Sequence, residues 1–243
     1  MKLLSTQGRN STHGFTVTEL LVVIVIIVII AAISVGGMAK IRQKADKVNS
    51  TRNLSQLQLA NASYSTDRNG NFVPLYQNNE DGQRIGFWYQ NPDFLANLSG
   101  DVLDASGNRA RSAPSSKLDP KVLRAKNAMY YSMAASYGMN DNGILGQTGP
   151  NVAPSHNHNR IPSPAQSMAF ATATDYRTTY NSRFKWKGVD SKTSDGAIAY
   201  RYDGKALIVY FDGHVGEVSE GDMKLIDSSR GGKIGSFWKP TAE

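Results

Sequence analysis

A chain of 243 residues, 40% hydrophobic and 19% charged, has room for a membrane segment plus one domain of roughly 150 to 200 residues, and two domains would be crowded. It contains no cysteine, which excludes disulfides, thiolate metal sites and a cysteine nucleophile. The net charge is +7; Lys2 and Arg9 are the only charged groups in the first fourteen residues, so +5 remains beyond them, a mild excess that serves solubility first and contact with nucleic acid or anionic lipid second.

The first predicted element is a helix. From Phe15 to Val35 run 21 residues of which only Thr16, Thr18, Glu19 and Ser34 are polar. At about 1.5 Å per residue they reach roughly 31 Å, the thickness of one bilayer core. In lipid each backbone amide needs an internal partner, so this Val/Ile/Leu run reads as helix rather than strand. A secretory signal peptide has a shorter apolar core followed by a small-residue cleavage site, whereas here Gly14 precedes the run, which is therefore expected to survive in the mature chain. Gly36-Gly37 is the weak point, where local unwinding is expected.

Beyond the glycines, Ile41, Ala45, Val48, Leu54, Leu57 and Tyr64 form an apolar stripe at helical spacing with one slip near Arg52. A single helix over 15–64 is expected, 50 residues and roughly 75 Å long. Lys40, Arg42, Lys44, Lys47 and Arg52 outnumber the cations before the run, and a simple count would put this side in the cytoplasm.

The stretch "GFTVTELLVVIVII" resembles the processing site of type IV pilins and of the pseudopilins of type II secretion: a short basic leader ending in glycine, then phenylalanine, a glutamate fifth in the mature chain, and an apolar helix. The resemblance covers residues 8 to about 60. It implies that a prepilin peptidase cuts between Gly14 and Phe15, that the new terminus of Phe15 is methylated, and that Glu19 meets the terminal amine of a neighbouring subunit. It also implies a head outside the inner membrane, which overrides the lysine count, and as partners the peptidase/methyltransferase, membrane lipid before assembly, an inner-membrane assembly platform, and copies of the chain and other pilins in a filament. A lone carboxylate in hydrocarbon is costly, and a cation from a neighbouring chain offsets that cost. The departure is at Val35-Gly36, near where many pilins have a kinking proline.

Asn69-Gly70 and Pro74 mark the turn that ends the helix, and "NGNFVP" resembles the Asn-Gly-x-aromatic-x-Pro element of secretion pseudopilins. Residues 77–165 are loop-rich, with short helices expected at "NPDFLANL" and within "DPKVLRAKNAMYYSM". Asn140-Asp141-Asn142-Gly143 lacks the later ligands of a calcium loop, and His156-x-His158 alone does not make a metal site, so both read as turn or solvated loop, and no metal or other cofactor is expected.

Near the C-terminus "AIAYRY-DG-KALIVYF-DG-HVGEVS" holds three strand-like runs joined by Asp203-Gly204 and Asp212-Gly213, the strongest short-range hairpin signal. An antiparallel meander is expected with strands at 197–202, 205–211 and 214–219, pairing Tyr202 with Lys205 and Phe211 with His214. One face then collects Ile198, Tyr200, Tyr202, Leu207, Val209, Phe211, His214 and Val218 against the helix, and the other collects Ala197, Ala199, Arg201, Ala206, Ile208, Tyr210, Val215 and Glu217. His214 sits at the rim of the first face. The meander resembles the His-x9-Asp-Gly element of prepilin-like proteins, with Tyr202 at the histidine position, and "PSPAQSMAFATATD" resembles the Pro-rich strand before it.

The expected organisation is a leader over 1–14, a transmembrane and assembly helix over 15–36, its amphipathic continuation over 37–65, and a head over 66–243. The expected fold is α+β and pilin-like: a long N-terminal helix packed on a C-terminal antiparallel sheet with a loop-rich middle. The function this implies is a non-enzymatic filament subunit, since four scattered histidines and no phosphate-cradling loop assemble no catalytic group. The long head tilts the reading toward a pseudopilin. The alternative is a minor pilin or surface subunit that binds DNA or another anionic ligand through its basic head, with Phe87, Trp88 and Tyr89 as the aromatic contribution.

Overall fold

The computed structural model describes residues 14–100, 112–125, 132–144, 155–189, 195–228 and 235–240, without the side chains of residues 33–37. Residues 1–13 of the expected leader and the stretch 126–131 of the second expected loop helix lie outside them. The fold is α+β, a long N-terminal helix and a C-terminal mixed sheet with loops between, consistent with a pilin-like fold. The chain divides into two compact units, residues 1–44 and 45–243.

Helix α1 spans Val17–Thr66, 50 residues, and its backbone is helical through Gly36-Gly37 where unwinding was expected. In the first unit every large apolar side chain from Phe15 to Ile30 is exposed, Phe15 by 78% and Val23, the least, by 43%. Among the described residues nothing covers this surface, and exposed apolar area of that extent marks a membrane or protein contact. Among the described residues no helix is long and apolar enough to cross a membrane. The described side chains of the apolar run stop at Ala32, short of its end at Val35.

In the second unit α1 ends where Asn69 and Gly70 take φ of +52° and +78° and the Gly70 amide donates to the Ser65 carbonyl at 3.0 Å. The expected stripe is corrected here. Leu54, Leu57 and Tyr64 are buried, but Val48 is 66% exposed and Ala45 is exposed as well. Ile41, in the first unit, is 67% exposed. The slip at Arg52 is the reason: the positions that continue the buried face upstream are Asp46, Ser50 and Asn53, all polar and all buried.

After α1 come strands β1 (Tyr76–Asn78) and β2 (Arg84–Phe87), a two-stranded antiparallel hairpin. Helix α2 (Pro92–Ser99) opens on Asn91, whose side chain accepts from the amides of Asp93 and Phe94, with Pro92 at the first helical position. Helix α3 (Pro120–Arg124) opens the same way on Asp119, and α4 (Met133–Ser136) follows. The main sheet contains β3 (Tyr137–Asn140), β4 (Met168–Thr172), β5 (Arg177–Thr178), β6 (Lys205–Tyr210) and β7 (Val215–Ser219), in the order β5-β3-β4-β6-β7. All pairings are antiparallel except β3 with β5, which makes the sheet mixed rather than purely antiparallel. Helix α5 (Glu220–Ser228) follows β7 directly.

The meander differs from expectation in two ways. Residues 197–202 do not form a regular strand. Strands β4 and β7 already occupy both flanks of β6, so apart from Tyr202 at the turn this segment bridges the chain at the end of β4, with Ala173 opposite Ile198 and the Ala199 amide donating to the Thr172 carbonyl at 2.8 Å. At Asp203-Gly204 the turn is two residues long: φ is +53° and +74°, and Tyr202 and Lys205 exchange both backbone bonds at 3.0 and 2.9 Å. At Asp212-Gly213 it is three. The Gly213 amide donates to the Tyr210 carbonyl at 2.9 Å, Gly213 takes φ of +95°, and Tyr210 rather than Phe211 bonds His214.

That extra residue shifts the register by one and moves side chains between faces. Val215, opposite Val209, joins Leu207, Val209 and Phe211 in the cluster built with Leu54, Leu57, Trp88, Phe94 and Phe170. Val218, opposite Ala206, joins Ala206, Ile208, Ile198 and Tyr200 on the other side, where Met223 of α5 and Phe237-Trp238 cover them. The sheet is thus buried on both faces, by residues 45–66 of α1 on one and by α5 and the C-terminal aromatics on the other. His214 stacks on Tyr210 with ring centroids 4.2 Å apart and holds Asp212 through Nδ1 at 2.6 Å.

Candidate functional site

The residues singled out at the amino terminus lie at the start of α1, Gly14 and Phe15 just before it and Glu19 in its first turn. Gly14 has open space around its Cα, and Phe15 is exposed. Thr16 is the residue before the helix, and Glu19 is third within it. Thr16 donates from its amide to Glu19 Oε2 at 2.9 Å and from its hydroxyl to the same oxygen at 2.8 Å, and Glu19 returns its amide to Thr16 Oγ at 3.3 Å. This is a capping box, which satisfies amides that the helix start leaves without intrahelical partners. The carboxylate also lies at the positive end of the helix dipole. Glu19 Oε1 makes no hydrogen bond among the described residues. Reading Glu19 as an assembly residue overlooked Thr16, although the signature Thr-x-x-Glu was present at positions 16 and 19.

The head contains a buried polar network at Tyr202. Its hydroxyl donates to Asp119 Oδ1 at 2.8 Å, and the Ser50 hydroxyl donates to Asp119 Oδ2 at 3.1 Å and contacts Tyr137 Oη at 2.9 Å. Arg201 stands 3.6 Å from Asp119 Oδ2 and donates to the carbonyls of Ser136, Ala135 and Ala173. Burial and then the Asp119 charge push both phenols, Tyr137 and Tyr202, well above the ordinary tyrosine range. With every member satisfied by a neighbour, the network holds α1, the start of α3 and the segment 197–202 together, and it presents no group to solvent.

Other sequence candidates resolve differently. His156 is buried, not in a solvated loop: its Nε2 lies 3.0 Å from the Asn140 carbonyl, and burial lowers its pKa to about 4. His158 packs edge-on against Phe72. Asp141 is pushed up to about 6 by burial, against the opposing pull of Arg177. No group of His, Cys, Asp and Glu among the described residues could hold a metal ion. Trp88 is 0% exposed and donates to the Tyr176 carbonyl at 2.6 Å, so it belongs to the core and not to a nucleic-acid surface.

Among known protein families, the model described as the prokaryotic N-terminal methylation motif matches residues 9–35. No curated protein and no solved structure matches the chain. The match contains Gly14, Phe15, Thr16 and Glu19, and the motif implies processing by a prepilin peptidase and assembly with other pilins. On an α+β fold that begins with a long helix, this chain therefore carries the N-terminal methylation signal of type IV pilins and pseudopilins.

Proposed function

We propose that the chain is a structural subunit of a type IV pilus-like filament or a type II secretion pseudopilus. The observation that carries the reading is the methylation motif over 9–35 set on a helix whose apolar side chains from Phe15 to Ile30 are all exposed in the single chain. In this reading residues 1–14 are a leader, residues 15–36 hold the precursor in the inner membrane with the head of 66–243 outside the cytoplasm, and residues 37–65 carry the helix onto the head. A peptidase cuts between Gly14 and Phe15 and methylates the new terminus, and polymerisation then replaces lipid contact by helix contact.

Glu19 has two jobs in this account. Its Oε2 caps its own helix through Thr16. Its Oε1 is the acceptor for the Phe15 amine of a neighbouring subunit, an ion pair whose energy is greatest where water is excluded and which fixes the axial register of neighbouring helices. The turns at Asp203-Gly204 and Asp212-Gly213 serve the head alone.

Mass spectrometry of the chain from its own host tests this: the expected mature protein begins at Phe15 and carries one added methyl group. Gly14→Ala should leave uncleaved precursor in the membrane fraction and no sheared filaments. A Gly14→Ala chain processed like wild type would end the reading. Imaging of sheared surface material separates a major pilin, which dominates long filaments, from a minor pilin or a pseudopilin.

A further inference from the structure

A cleft of about 510 Å³ lies between α1 and the segment leading into α3. Asn49, Arg52 and Gln56 line it from the helix, and Ser115, Ser116 and Lys117 from the opposite side. Among the described residues no carboxylate lines it. Lys117 Nζ donates to Gln56 Oε1 at 2.6 Å, and Arg52 is exposed with no hydrogen bond or ion pair among the described residues. Two cations therefore face a concave surface lined by amides, hydroxyls and the apolar Leu118, Pro120 and Leu123, with no carboxylate among the described residues, an arrangement that receives a carboxylate or another anion.

The same head displays the complementary group elsewhere. Between β1 and β2, Glu80 and Asp81 are adjacent, both exposed, and neither has an ion-pair partner among the described residues. Asp67 and Asp195 are also exposed but stand singly, and Glu217 and Glu220 are engaged, with Lys47 and Lys224, so among these Glu80-Asp81 alone is an adjacent pair without ion-pair partners among the described residues. The turn that carries the two acids is fixed by three bonds, from the Asn79 amide to the Gln83 carbonyl, from the Gly82 amide to the Asn79 carbonyl, and from the Gln83 amide to Asn79 Oδ1. A rigid turn with two carboxylates loses little freedom on docking.

We propose that the Arg52–Lys117 cleft receives the Glu80-Asp81 turn of a second copy of this chain, as a contact between subunits of one filament. Cleft and turn are different surfaces, so each copy offers one of each; such a head-to-tail contact propagates instead of closing into a dimer. The inference rests on the filament reading above, and it adds which surfaces of the heads meet.

The test uses the full chain in its own host. Because the sequence has no cysteine, Ser115→Cys combined with Gln83→Cys, which keeps both acids of the turn, gives a cross-link with no competing thiol from the chain itself. A bismaleimide should yield covalent dimers and higher species in the sheared-filament fraction only when both cysteines are present. Arg52→Glu with Lys117→Glu, and separately Glu80→Lys with Asp81→Lys, should each lower filament yield about tenfold, as for close interfacial charge pairs, and the four changes together should restore it. Equal amounts of processed chain in the membrane fraction show that the variants fold. Filaments that form without the cross-link overturn this proposal and leave the filament reading intact. Loss of filaments in the cleft variant but not in the turn variant also overturns it, since the cleft then serves a different anion. A wild-type chain that is never cleaved at Phe15 removes the filament reading and this contact with it.

Discussion

Tyr202 donates its hydroxyl to Asp119 Oδ1 across 2.8 Å, inside a core where both residues are closed to solvent. Asp119 is also the cap of α3, accepting the Lys121 amide at 2.9 Å, so one carboxylate ties a helix start to the segment before the hairpin. Tyr202→Phe removes the donor and leaves the buried acceptor short of one bond, which should cost about 1–3 kcal/mol. Denaturant unfolding of the detergent-solubilised chain measures it; a change near zero would mean that the network carries no stability.

Thr16→Ala removes the reciprocal cap and leaves Glu19 Oε2 with only the residue 16 amide. Hydrogen exchange at the first turn of α1 should speed up several-fold while exchange in the head stays the same. Thr16→Ser, which keeps the hydroxyl, should restore protection.

Glycines test two different constraints. At Gly138 an added Cβ would lie 2.7 Å from the Arg177 carbonyl carbon and oxygen and 2.8 Å from the Asp175 oxygen, all backbone. Gly138→Ala should therefore push β5 from β3 at a cost of about 3 kcal/mol or more. Gly213 has open space and only its φ of +95° to defend, so Gly213→Ala should cost about 1–2 kcal/mol. Paired thermal melts rank them, and a reversed order would contradict the packing at β3–β5.

Acid acts on the head through two buried groups of opposite sign. His156, lowered to about 4, takes a proton in the unfolded chain before the folded one, so its share of stability is present above about 6.5 and is lost as pH falls toward 4. Asp141, raised to about 6 by burial against the opposing pull of Arg177, binds its proton more readily when folded, so acidification from 6 toward 3.8 stabilises. The two act in opposite directions over the same range. Asp141→Asn should uncover the histidine, giving a melting temperature that falls more steeply than wild type between pH 6.5 and 4, as read by scanning calorimetry.

Much of this was legible in the residues. The Thr-x-x-Glu signature, the unbroken apolar run and the Asn91-Pro92 start each act within a few positions, so local physics decides them. Asp203-Gly204 is likewise local, with both turn residues at positive φ. Asp212-Gly213 misled by one residue, because an Asp-Gly pair also closes a three-residue loop whose glycine follows a type I turn, and the choice depends on pairing across β6 and β7. The segment 197–202 has a strand's alternation, but both flanks of β6 are taken by β4 and β7, which only the strand order reveals. Ser50, Asp119, Tyr137 and Tyr202 are far apart in sequence, and no periodicity marks four polar side chains that meet in a core.

The buried polar positions along residues 45–66 have a mechanical consequence. Ser50 is held by Asp119 and Tyr137, Asn53 by the carbonyls of residues 116 and 118, Gln58 by the Phe211 carbonyl and Asn61 by the Val73 amide, while Asp46 pairs with Arg124. A greasy helix could creep along its groove by a turn, about 5.4 Å, with modest loss. This one would strand each of those groups without a partner at every intermediate step. The joint behaves as a toothed coupling and not a slip bearing, so tension applied along this part of the rod moves the sheet with it and does not strip the rod from its groove.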